Sequence, residues 1–172
     1  MSLRADIEKI LAAANMCDVD PDRIMDDEHA RYEVYVNALS LVSSSGEREL
    51  ISVILRDPDH VMSEAALVNH IDRQASVLNS CSSYDGWVSR IVDLISRHGF
   101  LVSRIKEWRI FKEVIDGGIG NVDELCDASD WLQRKVAHEA TSRAVLETLA
   151  RVGRTKRVRN IASSRSKNSR EE

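Results

Sequence analysis

The sequence predicts an all-α protein, and three observations support this fold class. Its 172 residues include only two Pro and seven Gly, the residues that most often interrupt helices. Apolar residues recur at helical spacing, and the strict apolar–polar alternation of β-strands is absent. The length suffices for one domain with a substantial core.

The first half of the chain is predicted to form four helices. They cover residues 3–16, 21–43, 47–56 and about 58–78. Ser2 is a candidate N-cap for the first helix. Asp20-Pro21 and Asp57-Pro58 start the second and fourth, because aspartate is a favoured N-cap and proline is tolerated at the first helical position.

Both prolines of the chain lie in one repeated pattern. Residues 20–27 read DPDRIMDD, and residues 57–64, 37 positions later, read DPDHVMSE. A period of this length that contains two helices is typical of an α-solenoid repeat. The predicted architecture is therefore a short stack of antiparallel helical hairpins with about eight or nine helices.

The second half is less regular. A polar loop is predicted over 79–86, before a helix from Trp87 to His98. Further helices are predicted over residues 100–115, 122–127, 130–153 and 154–165. Asn121 begins a capping box for the short helix, and Ser129 or Asp130 caps the long one.

These elements predict one domain over 1–162, followed by a basic flexible tail over 163–172. Its hairpins are predicted at about residues 3–43, 47–78, 87–115 and 130–162. The tail is rich in Ser and charge, which is typical of disordered chain ends.

The stretch ELISVILRDPDHVMSEAALVNHI (49–71) resembles a HEAT-type repeat: an apolar helix, a D-P-D turn, and a helix with Val61 and Ala65–Ala66 directed inward. DPDRIM (20–25) and LETLARVGRTKRVRNIA (146–162) share weaker features of the pattern. The resemblance implies a right-handed stack of helical hairpins used as a binding surface. It implies no reaction.

Charge is distributed unevenly along the chain. Residues 151–172 contain eight Lys and Arg and two acids, a net charge of +6, whereas residues 1–150 carry −10. The residues predicted to contact an anionic partner are Arg151, Arg154, Lys156, Arg157, Arg159, Arg165, Lys167 and Arg170. Such a segment can neutralise phosphates, although it lacks aromatic side chains for base stacking. The alternative is a solvated tail, or one that folds onto the acidic body of its own or a neighbouring subunit.

The acid-rich stretch DVDPDRIMDDEH (18–29) invites comparison with a calcium loop. An EF-hand requires Gly at position six and a bidentate Glu at position twelve. Counted from Asp18, these positions hold Arg23 and His29. Acids in the first turn of a helix complement its macrodipole, so the pattern favours a helix start.

No catalytic, cofactor or metal site is predicted. Asp26 and Asp27 are adjacent on a helix, so they point to different faces. The histidines form no i, i+4 pair, there is no C-x-x-C, and HEATS (138–142) has Ser142 where a second metal-binding His is needed. The tryptophans are predicted to be core residues, or hot spots if exposed.

The sequence therefore predicts a non-catalytic interaction or adaptor protein. Its acidic body would bind a protein partner, and its basic C-terminal segment an anionic partner; self-association is compatible with this prediction. One alternative is a nucleic-acid-associated protein that binds through 151–170, and another is an acidic inhibitor of a basic enzyme surface. Three widely separated cysteines and no apolar run of ~18 residues predict a cytoplasmic protein without a membrane span.

Overall fold

The computed structural model describes residues 2–16, 19–78, 80–117 and 122–168. Within these ranges the chain forms eleven α-helices and no β-strand. The predicted all-α fold class is thus confirmed. The helix count exceeds the predicted eight or nine because the predicted helices over 21–43 and 130–153 are each divided into two.

The chain divides into two compact units, residues 1–104 and 105–172, where the sequence predicts a single domain over 1–162. The first unit contains α1 (Leu3–Ala13), α2 (Pro21–Met25), α3 (Glu28–Leu41), α4 (Glu47–Ile54), α5 (His60–Val77), α6 (Cys81–Ile95) and the start of α7 (Gly99–Ile115). The second contains the rest of α7, α8 (Val122–Asp127), α9 (Asp130–Glu139), α10 (Arg143–Val152) and α11 (Lys156–Asn168).

In the first unit, α3 and α5 pack side by side in the same direction. Near the start of α3, Arg31 contacts Asp57, just ahead of α5 (Nε–Oδ2 3.0 Å). Near the end of α5, Arg73 donates to the carbonyl oxygen of Leu39 (2.5 Å). The connecting helix α4 runs antiparallel to both, an arrangement compatible with a stack of hairpins.

α1 departs from the predicted first hairpin (3–43). Its residue Asp6 accepts two hydrogen bonds from Arg56 (2.5 and 3.2 Å), which directly precedes the Asp57 that contacts α3. Helices α1 and α3 therefore begin at the same end of the unit and are not antiparallel partners. These ion pairs join residues 26 and 50 positions apart, so the local helix signals do not encode them.

The predicted helix over 21–43 is divided by Asp27. This residue is extended (φ −113°, ψ 106°), and its carboxylate accepts the N–H groups of His29 and Ala30 (2.9 and 3.2 Å). Aspartate side chains compete with helix formation in this way and favour caps. The long helix therefore ends at Met25 and a new one begins at Glu28.

The predicted loop over 79–86 is wrong for residues 81–86, which are helical; residue 79 lies outside the described residues. Ser80 caps α6 by accepting the N–H of Ser83 (3.2 Å), and the helix begins at Cys81. The serines here supply a cap, and Gly86 lies inside the helix. Polar composition alone thus failed to distinguish a loop from a capped helix start.

The predicted inward face of α5 is displaced. Ala66 is buried as predicted, but Val61 is 84% exposed, Ala65 is exposed, and Met62 is buried in their place. The N-cap is Asp59, which accepts the N–H of Met62 (3.0 Å). The helix thus begins after Asp59 and not after Asp57.

Candidate anion-binding site

The basic C-terminal segment is folded. Helix α10 buries Val145, Leu146 and Leu149, and α11 buries Val158 and Ala162. The two helices pack against each other across a turn at 153–155, and we call residues 143–168 the basic hairpin. Residues 163–168, predicted to belong to a flexible tail, continue α11 to Asn168.

The basic hairpin presents most of the predicted site residues to solvent. Residues 151–168 contain seven Lys and Arg and no Asp or Glu. Five of these side chains are exposed, and we call them the basic face: Arg151, Arg154, Lys156, Arg157 and Lys167. The eighth predicted residue, Arg170, lies outside the described residues.

Arg159 and Arg165 have a different role from the other predicted site residues. Both are half-buried. Arg159 Nη1 donates to the carbonyl oxygen of Gly153 (2.7 Å), and Arg165 Nη1 donates to that of Ala137 (3.1 Å). These hydrogen bonds hold α11 against the preceding turn and against α9. Arg159 and Arg165 therefore stabilise the fold and are not part of the basic face.

Gln133 joins the turn before α11 to the end of α8. Its side chain is fully buried. Nε2 donates to the carbonyl oxygens of Leu125 (3.0 Å) and Cys126 (2.7 Å), while Oε1 accepts the N–H of Arg154 (2.7 Å). A buried amide satisfied on both atoms fixes its neighbours strongly, since losing one partner leaves a polar group unpaired. The sequence gives no local signal for this contact.

Helix α11 runs parallel to α9. At its start, Thr155 Oγ1 donates to Asp130 Oδ1 (2.8 Å); towards its end, Arg165 reaches Ala137. These contacts fix both the position and the rotation of α11. The three basic-face residues on α11, Lys156, Arg157 and Lys167, are therefore held on a fixed helix surface.

Gly153 permits close packing in the turn between α10 and α11. A Cβ atom at this position would lie 2.5 Å from the carbonyl oxygen of Leu149 and 2.8 Å from Cγ1 of Val158. Both distances are shorter than van der Waals contact. The absence of a side chain thus allows the end of α10 to approach α11.

The uneven charge follows the division into two units. Residues 1–104 contain ten Lys and Arg against 17 Asp and Glu, a net charge of −7. Residues 105–172 contain 14 Lys and Arg against 11 Asp and Glu, a net charge of +3. The basic hairpin therefore belongs to a basic unit, and the acidic charge is concentrated in the other.

The acid-rich stretch 18–29 marks the starts of two helices. Asp20 caps α2 by accepting the N–H of Asp22 (3.0 Å), and Asp27 caps α3. Asp18 lies outside the described residues. Among the residues that the structure describes, no group of three or more His, Cys, Asp or Glu side chains is placed to hold a metal ion.

The second D-P-D segment has a different structural role from the first. Asp57 is buried, and its Oδ2 accepts from Arg31 Nε (3.0 Å) and from the hydroxyl of Tyr35 (2.7 Å). Burial and this hydrogen bond raise the pKa of Tyr35, so the hydroxyl stays protonated and donates. Asp57 therefore anchors the first unit, whereas Asp20 is an exposed cap.

A buried polar cluster surrounds Glu47 in the first unit. Its Oε1 accepts from Nε1 of Trp87 (2.9 Å) and from Nε2 of His70 (2.7 Å). Arg73 donates to Nδ1 of His70 (3.0 Å), which places the imidazole proton on Nε2. Burial favours the neutral acid, but hydrogen bonds from His70 and Trp87 outweigh it and lower the pKa of Glu47.

A cleft of about 310 Å³ lies between the starts of α3 and α5, lined by residues that include Glu28, His29, Tyr32 and Asp59. Titratable side chains in a cleft invite a catalytic interpretation. The backbone N–H of Met62 lowers the pKa of Asp59, which suits a helix cap better than a general acid. His29 is almost fully exposed, with its Nδ1 3.8 Å from Glu28 Oε1.

The tryptophans contribute to packing. Trp87 and Trp108 are buried, as predicted. Trp131 is half-buried, with its ring centroid 5.6 Å from that of Trp108. Lys135 Nζ lies 4.6 Å from the ring centroids of both Trp108 and Phe111, a distance typical of cation–π contacts. These side chains stabilise the second unit.

Two further findings bear on function. Within the described residues, no helix is long and apolar enough to cross a bilayer. Comparison of the chain with protein-family models, with curated proteins and with solved structures finds no match. A functional proposal for this protein therefore rests on its own residues.

Proposed function

We propose that this chain is a non-catalytic interaction protein that binds an anionic macromolecule through the basic face. One observation carries the proposal: residues 151–168 hold seven cationic and no acidic side chains, and five of the seven are exposed, four on packed helices and Arg154 in the turn between them. Fixed cations lose less conformational freedom on binding than those of a disordered tail. A polyanion recognised in this way would be bound in a strongly salt-dependent manner.

The acidic first unit supports the second half of the proposal, an adaptor that also binds a protein partner. With a net charge of −7 over residues 1–104, this unit would attract a partner with a basic surface, by electrostatic steering. An inhibitor of a basic enzyme would use the same unit.

A HEAT-like use of hairpins as a binding surface agrees with the parallel packing of α3 and α5. We place the protein in the cytoplasm, where the thiols of Cys81 and Cys126, which form no disulfide among the described residues, would remain reduced.

Heparin chromatography tests the anion-binding half of the proposal. The triple variant Arg154→Gln, Lys156→Gln, Arg157→Gln should elute from heparin at clearly lower salt than the original chain, because three exposed cations of one face are lost. The matched control Lys9→Gln, Arg23→Gln, Arg97→Gln removes the same charge from exposed positions in the first unit and should elute close to the original. Equal elution shifts for both variants would show that only net charge matters and would refute the proposal. Unchanged circular dichroism spectra establish that both variants are folded.

A further inference from the structure

Four exposed side chains form one stripe along α11. Lys156, Asn160, Ser164 and Lys167 follow one another at intervals of four, four and three residues, so they share one face of the helix. All four are exposed, while Val158 and Ala162 on the opposite face are buried. The stripe thus has a cation at each end and two neutral hydrogen-bonding side chains between them.

We propose that α11 binds in the major groove of duplex DNA through this stripe, an inference that rests on the proposed function. The two lysines are 11 positions apart, which corresponds to about 16 Å along a helix axis. The major groove is roughly 12 Å wide and admits an α-helix. Lysines at this separation can therefore reach the phosphates that border the groove on both sides.

The centre of the stripe carries the side chains suited to base edges. Asparagine pairs with N6 and N7 of adenine, and serine bonds to several bases. Asn160 and Ser164 therefore face the base pairs when Lys156 and Lys167 contact the borders of the groove. Arg151, Arg154 and Arg157, near the start of α11, are placed for phosphate contacts that fix its register.

The chemistry of the stripe favours duplex DNA over other nucleic acids. The major groove of A-form RNA is deep and narrow, so it excludes a helix. Single strands are bound largely by stacking of bases on aromatic side chains, and residues 151–168 contain no Phe, Tyr or Trp. A helix that presents cations and small polar groups therefore fits the major groove of duplex DNA.

The first experiment compares nucleic acids that contain about the same number of phosphates. Fluorescence anisotropy would measure the binding of the full chain to a 20-base-pair DNA duplex, to the RNA duplex of the same sequence and to a 40-base single-stranded DNA. The DNA duplex should bind at least about tenfold more tightly than the other two. Equal or tighter binding of duplex RNA or of single-stranded DNA would overturn the major-groove proposal.

Variants of the stripe separate phosphate contacts from base contacts. Lys156→Ala with Lys167→Ala should reduce the salt slope of duplex binding by about two, one phosphate contact for each lysine. Lys106→Ala, at an exposed lysine of α7 in the second unit, is the control and should leave the slope unchanged. A slope unaffected by the loss of the two lysines would contradict the proposed contacts.

Selection from a random duplex library tests base readout. The original chain should enrich a short motif, and Asn160→Ala should lose about tenfold of the preference for it while keeping its affinity for random duplex. Asn37→Ala, at an exposed asparagine of α3, should keep the motif. The absence of any enriched motif, or an Asn160→Ala variant that retains it, would overturn the assignment of Asn160.

The heparin and DNA experiments distinguish failure of the groove proposal from failure of the proposed function. If the basic face governs heparin elution but the DNA duplex is not bound, the groove proposal is wrong and the proposed function stands. If the basic face has no effect on heparin elution, the proposed function is wrong as well.

Discussion

Glu47 begins α4 and lies buried with its carboxylate against His70 and Trp87. Its sequence neighbours, Gly46 and Arg48, give no sign of this environment, because the partners lie more than twenty residues away. A glutamate in the first turn of a helix is ordinarily explained by the macrodipole alone. Distant partners thus turn a common surface residue into a core residue.

Glu47 should make the stability of the protein depend on acidity. Its pKa is lower in the folded than in the unfolded state, where it is about 4.3. The stabilisation is therefore complete at neutral pH and is lost as the pH falls from about 5 through the folded pKa. Glu47→Gln should destabilise the protein by about 1–3 kcal/mol at pH 7, and this difference should shrink towards pH 3.

Urea unfolding between pH 7 and pH 3 measures this effect. Glu33→Gln, at an exposed glutamate of α3, is the control and should change the midpoint little at any pH. If the difference in unfolding free energy between Glu47→Gln and the original chain is the same at every pH in this range, the ionised carboxylate of Glu47 does not stabilise the fold.

The two D-P-D segments show what single residues reveal and what they conceal. Asp20 behaves as the sequence predicts, capping a helix with Pro21 at the first helical position. Asp57 is also followed by Pro and Asp, but it is buried, and Arg31 and Tyr35 of α3 donate hydrogen bonds to it. Both aspartates accept the N–H group two residues further on, so the shared D-P-D sequence gives the same local hydrogen bond twice. It does not reveal the tertiary contacts of Asp57.

At the scale of helices and turns, predicted helix positions agree with the structure where the apolar pattern is strong. The helices at 3–13, 47–54, 99–115 and 122–127 match closely. Three of the errors lie where Asp or Ser side chains bind backbone N–H groups: at Asp27, Ser80 and Asp59. Such capping depends on local geometry that composition does not determine. A fourth error, the break between α9 and α10, has no side-chain cap hydrogen bond from Ser142.

Gly153 should be intolerant of a side chain. Its backbone angles (φ −54°, ψ 140°) suit any residue, so the effect of Gly153→Ala arises from collision, chiefly with Leu149 and Val158. Such overpacking costs roughly 1–3 kcal/mol. Because the collision separates α10 from α11, binding to heparin should weaken along with thermal stability.

Gly86→Ala is the matched control for this prediction. Gly86 lies inside α6, and an added Cβ would meet no atom within 4 Å. Alanine there should stabilise the protein by about 0.5–1 kcal/mol. Thermal denaturation of the two variants measures both effects, and a Gly153→Ala variant as stable as the original chain would contradict close packing at this turn.

At the scale of the whole molecule, the charge asymmetry was visible in the sequence, but its organisation was not. The sum over 151–172 predicts a basic segment. Which cations face solvent depends on the rotation of α11, which is fixed by contacts such as those of Gln133 and Thr155. The sequence alone does not distinguish the five exposed cations from Arg159 and Arg165, which bind backbone carbonyl oxygens.

The salt dependence of polyanion binding tests the central claim most directly. Anisotropy of fluorescein-labelled heparin, measured between 50 and 300 mM NaCl, would give the slope of log Kobs against log salt for the original chain. The triple variant at Arg154, Lys156 and Arg157 should reduce the magnitude of this slope by about two to three. Each cation that is removed leaves one anionic group of the polyanion unneutralised, so its counterion is not released. The triple variant at Lys9, Arg23 and Arg97 should leave the slope unchanged. Equal slopes for the original chain and the first variant would contradict binding through the basic face.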